Sequence, residues 1–200
     1  MYKKLLICLT ICALFIVAGC ADEDKTVVSP VSLVETLSNG ESFQFRSMDW
    51  FINEDDVLKH ERINRDDITV SSNLNVFLYP YTIIFEEVGL TVNSMVFSFH
   101  DEPNMLVSGQ YWALFDDEEK YLATVDKVIS AFDEEFGSPN KKGDDELSVN
   151  LINSDGSKMW WAKDNSMLTL GKIVDYTSPH PNQIFIKVSA PRDIPESLRS

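Results

Sequence analysis

Residues 117–139 read DEEKYLATVDKVISAFDEEFGSP. Within them Tyr121, Leu122, Val125, Val128, Ile129, Phe132 and Phe136 recur at the three- and four-residue intervals of one helical face. Asp116 or Asp117 supplies the N-cap, the acids that follow suit the positive end of the helix dipole, and Gly137 with Pro139 stops the helix. Fully burying side chains of this kind stabilises a fold by about 1.5–3 kcal/mol each. This helix is therefore the main packing element, and the chain on either side of it must provide the surface it covers.

That surface reads as strands. Leu147, Val149 and Leu151 alternate with Ser148 and Asn150, and Ile184, Ile186 and Val188 alternate with Gln183, Phe185 and Lys187, as in strands with one covered face. Segments near 74–79, 81–88, 90–99, 105–115, 158–163 and 167–175 are rich in β-branched and aromatic residues. Turn residues divide them, among them Tyr79-Pro80, Gly89, Ser154-Asp155-Gly156 and Asp164-Asn165. A second, shorter helix is predicted over 53–63. Asn53 caps it, Glu54, Asp55 and Asp56 fill its first turn, and Ile52 and Val57 form a hydrophobic staple. Helix and strands followed by helix and strands predict an α+β fold, an antiparallel sheet with helices on one face, built as two tandem helix-plus-strands units. The globular domain is expected over 41–189, with a flexible tail at 190–200.

The same residues carry a resemblance. FRSMDWFINEDDVLKHE (45–61) resembles the opening F-x-W-G-x-[ST]-x-[ED]-[ED]-V stretch of small surface lipoproteins of Gram-positive bacteria. Phe136-Gly137-Ser138-Pro139 resembles the [FY]-G-x-P end of their second helix, and Asp175-Tyr176-Thr177-Ser178 their closing strand. The glycine expected after the tryptophan is absent, because Phe51 follows Trp50. The helix-plus-sheet order also resembles the β-lactamase inhibitor protein and small outer-membrane assembly lipoproteins, which bind proteins and catalyse nothing. That likeness is one of fold and carries no functional residues across.

The amino terminus predicts an address. Lys3 and Lys4 precede an apolar run from Leu5 to Ala18, which at 14 residues is shorter than the roughly 20 of a membrane-spanning helix. A short basic start and a short apolar run ending in small residues describe a signal peptide over 1–19. Val17-Ala18-Gly19-Cys20 resembles the lipobox of bacterial lipoproteins, which implies acylation of Cys20, with palmitate or a similar chain, and cleavage before it. Cys8 and Cys12 leave with the leader, so no intrachain disulfide can form. Residues 20–40 lack a convincing period and read as the lipidated cysteine and a flexible tether. The expected location is extracytoplasmic, anchored by lipid to the cell membrane, or to the outer membrane in a cell that has two.

Charge narrows the partners. The chain is 44% hydrophobic and 24% charged, and its formal net charge of −15 becomes −17 once residues 1–19, with two lysines and no acid, are removed. A chain this acidic is repelled by phosphate backbones, which argues against nucleic-acid binding.

No catalytic signature stands out. His60, His100 and His180 lack ligand spacing, so a metal is not expected. The acidic runs at 116–119, 133–135 and 144–146 do not follow a calcium-loop pattern. Neither a G-x-S-x-G elbow nor a phosphate-binding loop occurs. No cofactor is expected. Aromatics on mixed strand faces are the better candidates. Val107, Tyr111, Ala113 and Phe115 share one face of their strand, and Trp112 shares the other with Leu106, Ser108 and Gln110. Phe185 lies beside Gln183 and Lys187, and Trp160 beside Lys158. Trp112, Trp160 and Phe185 are thus the expected binding residues for a protein or glycan partner. The expected function is a cell-surface lipoprotein acting as a non-catalytic binding module. The alternative is an extracytoplasmic, carbohydrate-active enzyme.

Overall fold

The computed structural model describes residues 26–71, 76–100, 104–139, 141–143 and 154–191. The leader, Cys20, the strand expected at 147–151, the acids at 144–146 and residues 192–200 lie outside the described residues.

The chain is α+β. It runs β1 (Thr26–Val28), α1 (Glu54–Glu61), β2 (Thr69–Ser71), β3 (Val76–Tyr79), β4 (Thr82–Phe85), β5 (Leu90–Val92), β6 (Ser94–Phe99) and β7 (Leu106–Phe115). It then continues through α2 (Glu118–Phe136), β8 (Lys141–Gly143), β9 (Ser154–Lys163), β10 (Ser166–Asp175) and β11 (Asn182–Ser189). The large sheet has the order β2-β3-β6-β7-β11-β10-β9-β8 and every pairing in it is antiparallel. A second sheet of three strands, β1-β4-β5, joins β1 in parallel to β4. Each helix is followed by a meander of four large-sheet strands, and the two meanders meet where their last strands, β7 and β11, pair. The β4–β5 hairpin is an excursion from the first unit into the smaller sheet.

Local chemistry accounts for the element ends. The Asn53 side chain accepts the Asp56 amide at 2.9 Å, and Asp117 accepts the Lys120 amide at 2.7 Å, each satisfying an orphan donor of the first turn. Gly137 closes α2 at φ 76°. Asp164 and Asn165 are both left-handed, as a two-residue hairpin between right-twisted strands requires. Phe51 stands where the lipoprotein pattern has glycine, and it adopts φ 65°. The backbone there is left-handed, a conformation that glycine adopts more readily than phenylalanine. Arg62, exposed at the end of α1, is left-handed too, at φ 56°. Arg62→Gly is expected to raise stability by about 0.5–1 kcal/mol by relieving this strain, checked by urea denaturation.

One face of the large sheet holds the core. Phe97, Tyr111, Ile184, Ile186, Val188, Leu168, Leu170 and Trp161 are all buried there. Helix α2 lies on that face, with Phe132 edge-on to Trp161 at 5.3 Å and Tyr121 against Phe115 at 5.6 Å. The smaller sheet packs on the same face through Phe85 against Tyr111, and α1 through Val57 and Leu58.

The expected helix face needs one correction. Leu122 is 52% exposed, whereas Thr124 is buried and its hydroxyl donates to the Gly89 carbonyl. At 3.6 residues per turn Leu122 lies about 90° from the centre of the packed stripe, beyond the reach of the sheet.

A second correction concerns β7. Ser98 pairs with Ser108 but Phe99 with Leu106, so Val107 is the extra residue of a bulge. The bulge turns Leu106 into the core in place of Val107. The expected strand at 90–99 is likewise two strands. Asn93 divides them, its side-chain oxygen accepting the Leu114 amide at 2.8 Å.

The tether expectation fails over 26–40. Leu33 and Leu37 are fully buried, a 3-10 turn spans Val34–Thr36, and β1 pairs with β4. Two buried leucines and a parallel pairing with a strand more than 50 residues away leave no local period to read. At the other end, the expected tail begins later than 190, since Ala190 donates to the Val107 carbonyl.

Candidate functional site

The opposite face of the large sheet is the outer face. Register alone lays out its rows. One row crosses the strands as Leu78, Val96, Gln110, Lys187, Thr169 and Trp160. The row beside it reads Ser94, Trp112, Phe185, Gly171 and Lys158. All three aromatics expected as binding residues therefore stand on one face. Trp112 and Phe185 are directly opposed across β7 and β11, with ring centroids 5.4 Å apart. Trp160 stands three strands from Trp112, about 14 Å across the sheet.

They do not stand there equally. Trp112 and Trp160 are half-buried, while Phe185 is only 8% exposed. Its ring lies over Gly171, where an added Cβ would overlap it. The expectation that Phe185 offers an open ring is corrected: its ring packs over Gly171 and beside Trp112. Ser108, expected on an open surface, is also buried, and its hydroxyl and that of Ser94 have no hydrogen-bond partner. Leu78, Val96, Ile173 and Phe185 are buried on this face yet lie outside the continuous core.

Lys187 is the charged group at the middle of this surface. Its cross-strand neighbours are Gln110 and Thr169, which carry no charge. Burial pushes its amine below the usual lysine range, because a desolvated ammonium is disfavoured. An acceptor brought by a partner would reverse that penalty.

A search against protein-family models, curated proteins and solved structures finds no match for this chain.

On the helical side lies an open cleft of about 550 Å³ between the start of α2 and the ends of β9, β10 and β11. Tyr121, Leu122, Lys172, Val174, Tyr176 and Asn182 line it. Its apolar rim is Leu122 and Tyr176, the latter 66% exposed. The periodicity of α2 hid this cleft by assigning Leu122 to the core. Burial pushes the Tyr121 hydroxyl up to about 12, so it is a neutral donor there at ordinary pH.

Two of the polar candidates have structural work. Asp117 is the N-cap of α2, with Glu118 and Glu119 in its first turn. His180 meets Asp116 at 2.6 Å across the ends of β11 and β7. Among the described residues no group of three or more His, Cys, Asp or Glu side chains is placed to hold a metal ion. No helix among them is long and apolar enough to cross a membrane.

Proposed function

We propose that the chain is exported, acylated on Cys20 and held outside the cell, where its domain acts as a non-catalytic binding module. Its contact surface is the outer face of the large sheet, and its partner a protein or a glycan. The observation that carries this reading is the pairing of two rows on the face opposite the one on which α1 and α2 pack. One row holds Trp112 over Phe185, and the other holds Gln110, Lys187, Thr169 and Trp160.

Half-buried tryptophans supply large contact area at small entropic cost, and the polar row beside them supplies direction. Lys187 adds a reason for selectivity, since only a partner with an acceptor at that point offsets its desolvation. The basic start, the short apolar run and the Val17-Ala18-Gly19-Cys20 ending support the anchor. The two-unit order, similar to that of the β-lactamase inhibitor protein, supports a macromolecular partner by analogy of fold alone.

Trp112→Ala tests the surface. An aromatic at the centre of an interface is worth about 2 kcal/mol or more, roughly thirtyfold in affinity. Expressed from Ala21, so that no acyl chain holds it to the envelope, the variant domain is expected to keep a cooperative melt while sedimenting with isolated cell envelopes that much more weakly than the same domain with Trp112 intact. A variant that binds envelopes as wild type does, or that loses binding only because it unfolds, would place the contact elsewhere.

A further inference from the structure

Among the described residues six large apolar side chains are exposed, and three of them, Val27, Val28 and Val31, fall within five positions of one another. Their exposures are 40%, 51% and 45%, and Pro30 between them is exposed as well. Elsewhere on an acidic surface a lone exposed valine calls for no explanation, but a run of them does.

The segment that bears them is fixed. β1 is the edge strand of the smaller sheet and pairs with β4 through Thr26, Val27 and Val28. The Ser29 amide donates to the Ile84 carbonyl at 2.9 Å, and the Ser29 hydroxyl donates to the Val31 carbonyl at 2.7 Å. Two residues further on, Leu33 is fully buried and its amide donates to Glu87. Val27 and Val28, on opposite sides of this edge strand, and Val31 beyond it are thus held at the margin of the smaller sheet by a backbone tied down on both sides.

Position in the chain says what they face. Only residues 21–25 separate Cys20 from Thr26. Six residue steps span at most about 20 Å even when fully extended, less than the thickness of one bilayer with its headgroups. A domain anchored through Cys20 cannot stand off from its membrane as one on a 20-residue tether would. It stays within about 20 Å of the lipid, with the β1 edge the part of the fold nearest the anchor.

We infer that Val27, Val28 and Val31 form the membrane-seating surface of the domain, entering the headgroup region of the bilayer that holds the acyl chains on Cys20. This rests on the anchoring proposed above and adds an orientation to it. Apolar side chains at that depth leave water, while Asp22, Glu23 and Asp24 disfavour an anionic leaflet and favour a zwitterionic one. The smaller sheet lies on the helical side of the large sheet, as Phe85 against Tyr111 shows. Seating β1 on lipid therefore leaves the outer face, with Trp112, Trp160 and Lys187, turned away from the membrane.

The test uses the full acylated chain reconstituted into phosphatidylcholine vesicles. The thiol of Cys20 is consumed by acylation, so Val28→Cys or Val31→Cys gives a single site for an environment-sensitive fluorophore. Lys158→Cys, on the outer face, is the comparison. Labels at 28 and 31 are expected to be quenched by nitroxide-bearing lipid and to be shielded from aqueous iodide several-fold more than the label at 158. Using both valine positions guards against disturbance of β1 by either one. If the protein floats with vesicles but labels at 28, 31 and 158 meet iodide equally, the seating surface is wrong and the anchor stands. If the protein fails to float, and floats no better than Cys20→Ala, anchoring and seating fall together.

Discussion

Phe132→Ala is expected to cost about 3–5 kcal/mol, a large part of the 5–15 kcal/mol that holds a typical domain folded. Phe132 is fully buried near the carboxyl-terminal end of α2. Its ring meets Trp161 edge-on at 5.3 Å and Phe136 at 5.8 Å, and Phe136 in turn meets Phe43 at 5.0 Å. The Trp161 indole also donates to the Gly137 carbonyl at 2.8 Å, which pins the end of the helix to β9. Truncating Phe132 opens a cavity among rings that are fixed by the sheet on one side and the amino-terminal segment on the other, so little of it can collapse. Urea denaturation measures the loss. A value below about 1 kcal/mol would mean that α2 does not pack on the sheet through this face.

The second large effect comes from a polar contact. The Arg46 guanidinium Nε donates to both Glu61 carboxylate oxygens, at 2.9 and 2.8 Å, and its Nη1 donates to the Tyr111 hydroxyl at 3.3 Å. The Glu61 side chain is 3% exposed. Burial works against the Arg46 charge, but Tyr111 and Glu61 outweigh it and hold the guanidinium above its ordinary range. Burial raises the Tyr111 hydroxyl as well, so it remains a neutral donor and acceptor.

The Arg46 amide donates to the Thr36 carbonyl, so one residue ties α1, the segment after β1 and the centre of β7 together. Glu61→Ala is expected to cost about 3 kcal/mol, since it leaves a half-buried cation facing a phenol without its carboxylate. Replacing both charges with apolar residues of similar size, as in Arg46→Met with Glu61→Leu, is expected to recover most of that loss. A single variant that melts like wild type would show that water already satisfies the pair.

What was legible in the sequence was what local chemistry decides. The α2 stripe apart from Leu122, a cap at Asp116 or Asp117 and the Gly137 stop are all read from one short stretch, as are the Asn53 cap and the turn at Asp164-Asn165. The alternation of Ile184, Ile186 and Val188 marks the covered face of β11 correctly, because no bulge interrupts that strand. In β7 the same rule fails at Val107, where one extra residue reverses the alternation and moves Leu106 inward.

Non-local pairing was not legible. Leu33 and Leu37 are core residues only because β1 finds β4 across the chain, and Asn93 splits an apparently continuous strand by bonding to β7.

The candidate surface was half legible. Alternation put Trp112, Phe185 and Trp160 on the side of their strands that faces away from the core. It could not show that the strand order sets Trp112 against Phe185, or that Gly171 lets Phe185 lie flat. Lys187 at the centre of the face likewise follows from register, which no single strand reveals.

The claim that the outer face is the contact surface is tested most directly by photo-crosslinking in cells that make the protein. A benzophenone amino acid is placed in turn at Lys158 and Trp160 on that face, and at Lys127, exposed on α2. Irradiation is expected to yield covalent adducts of higher mass from positions 158 and 160 and none from 127. Adducts from position 127 alone, or from none of the three, would contradict it.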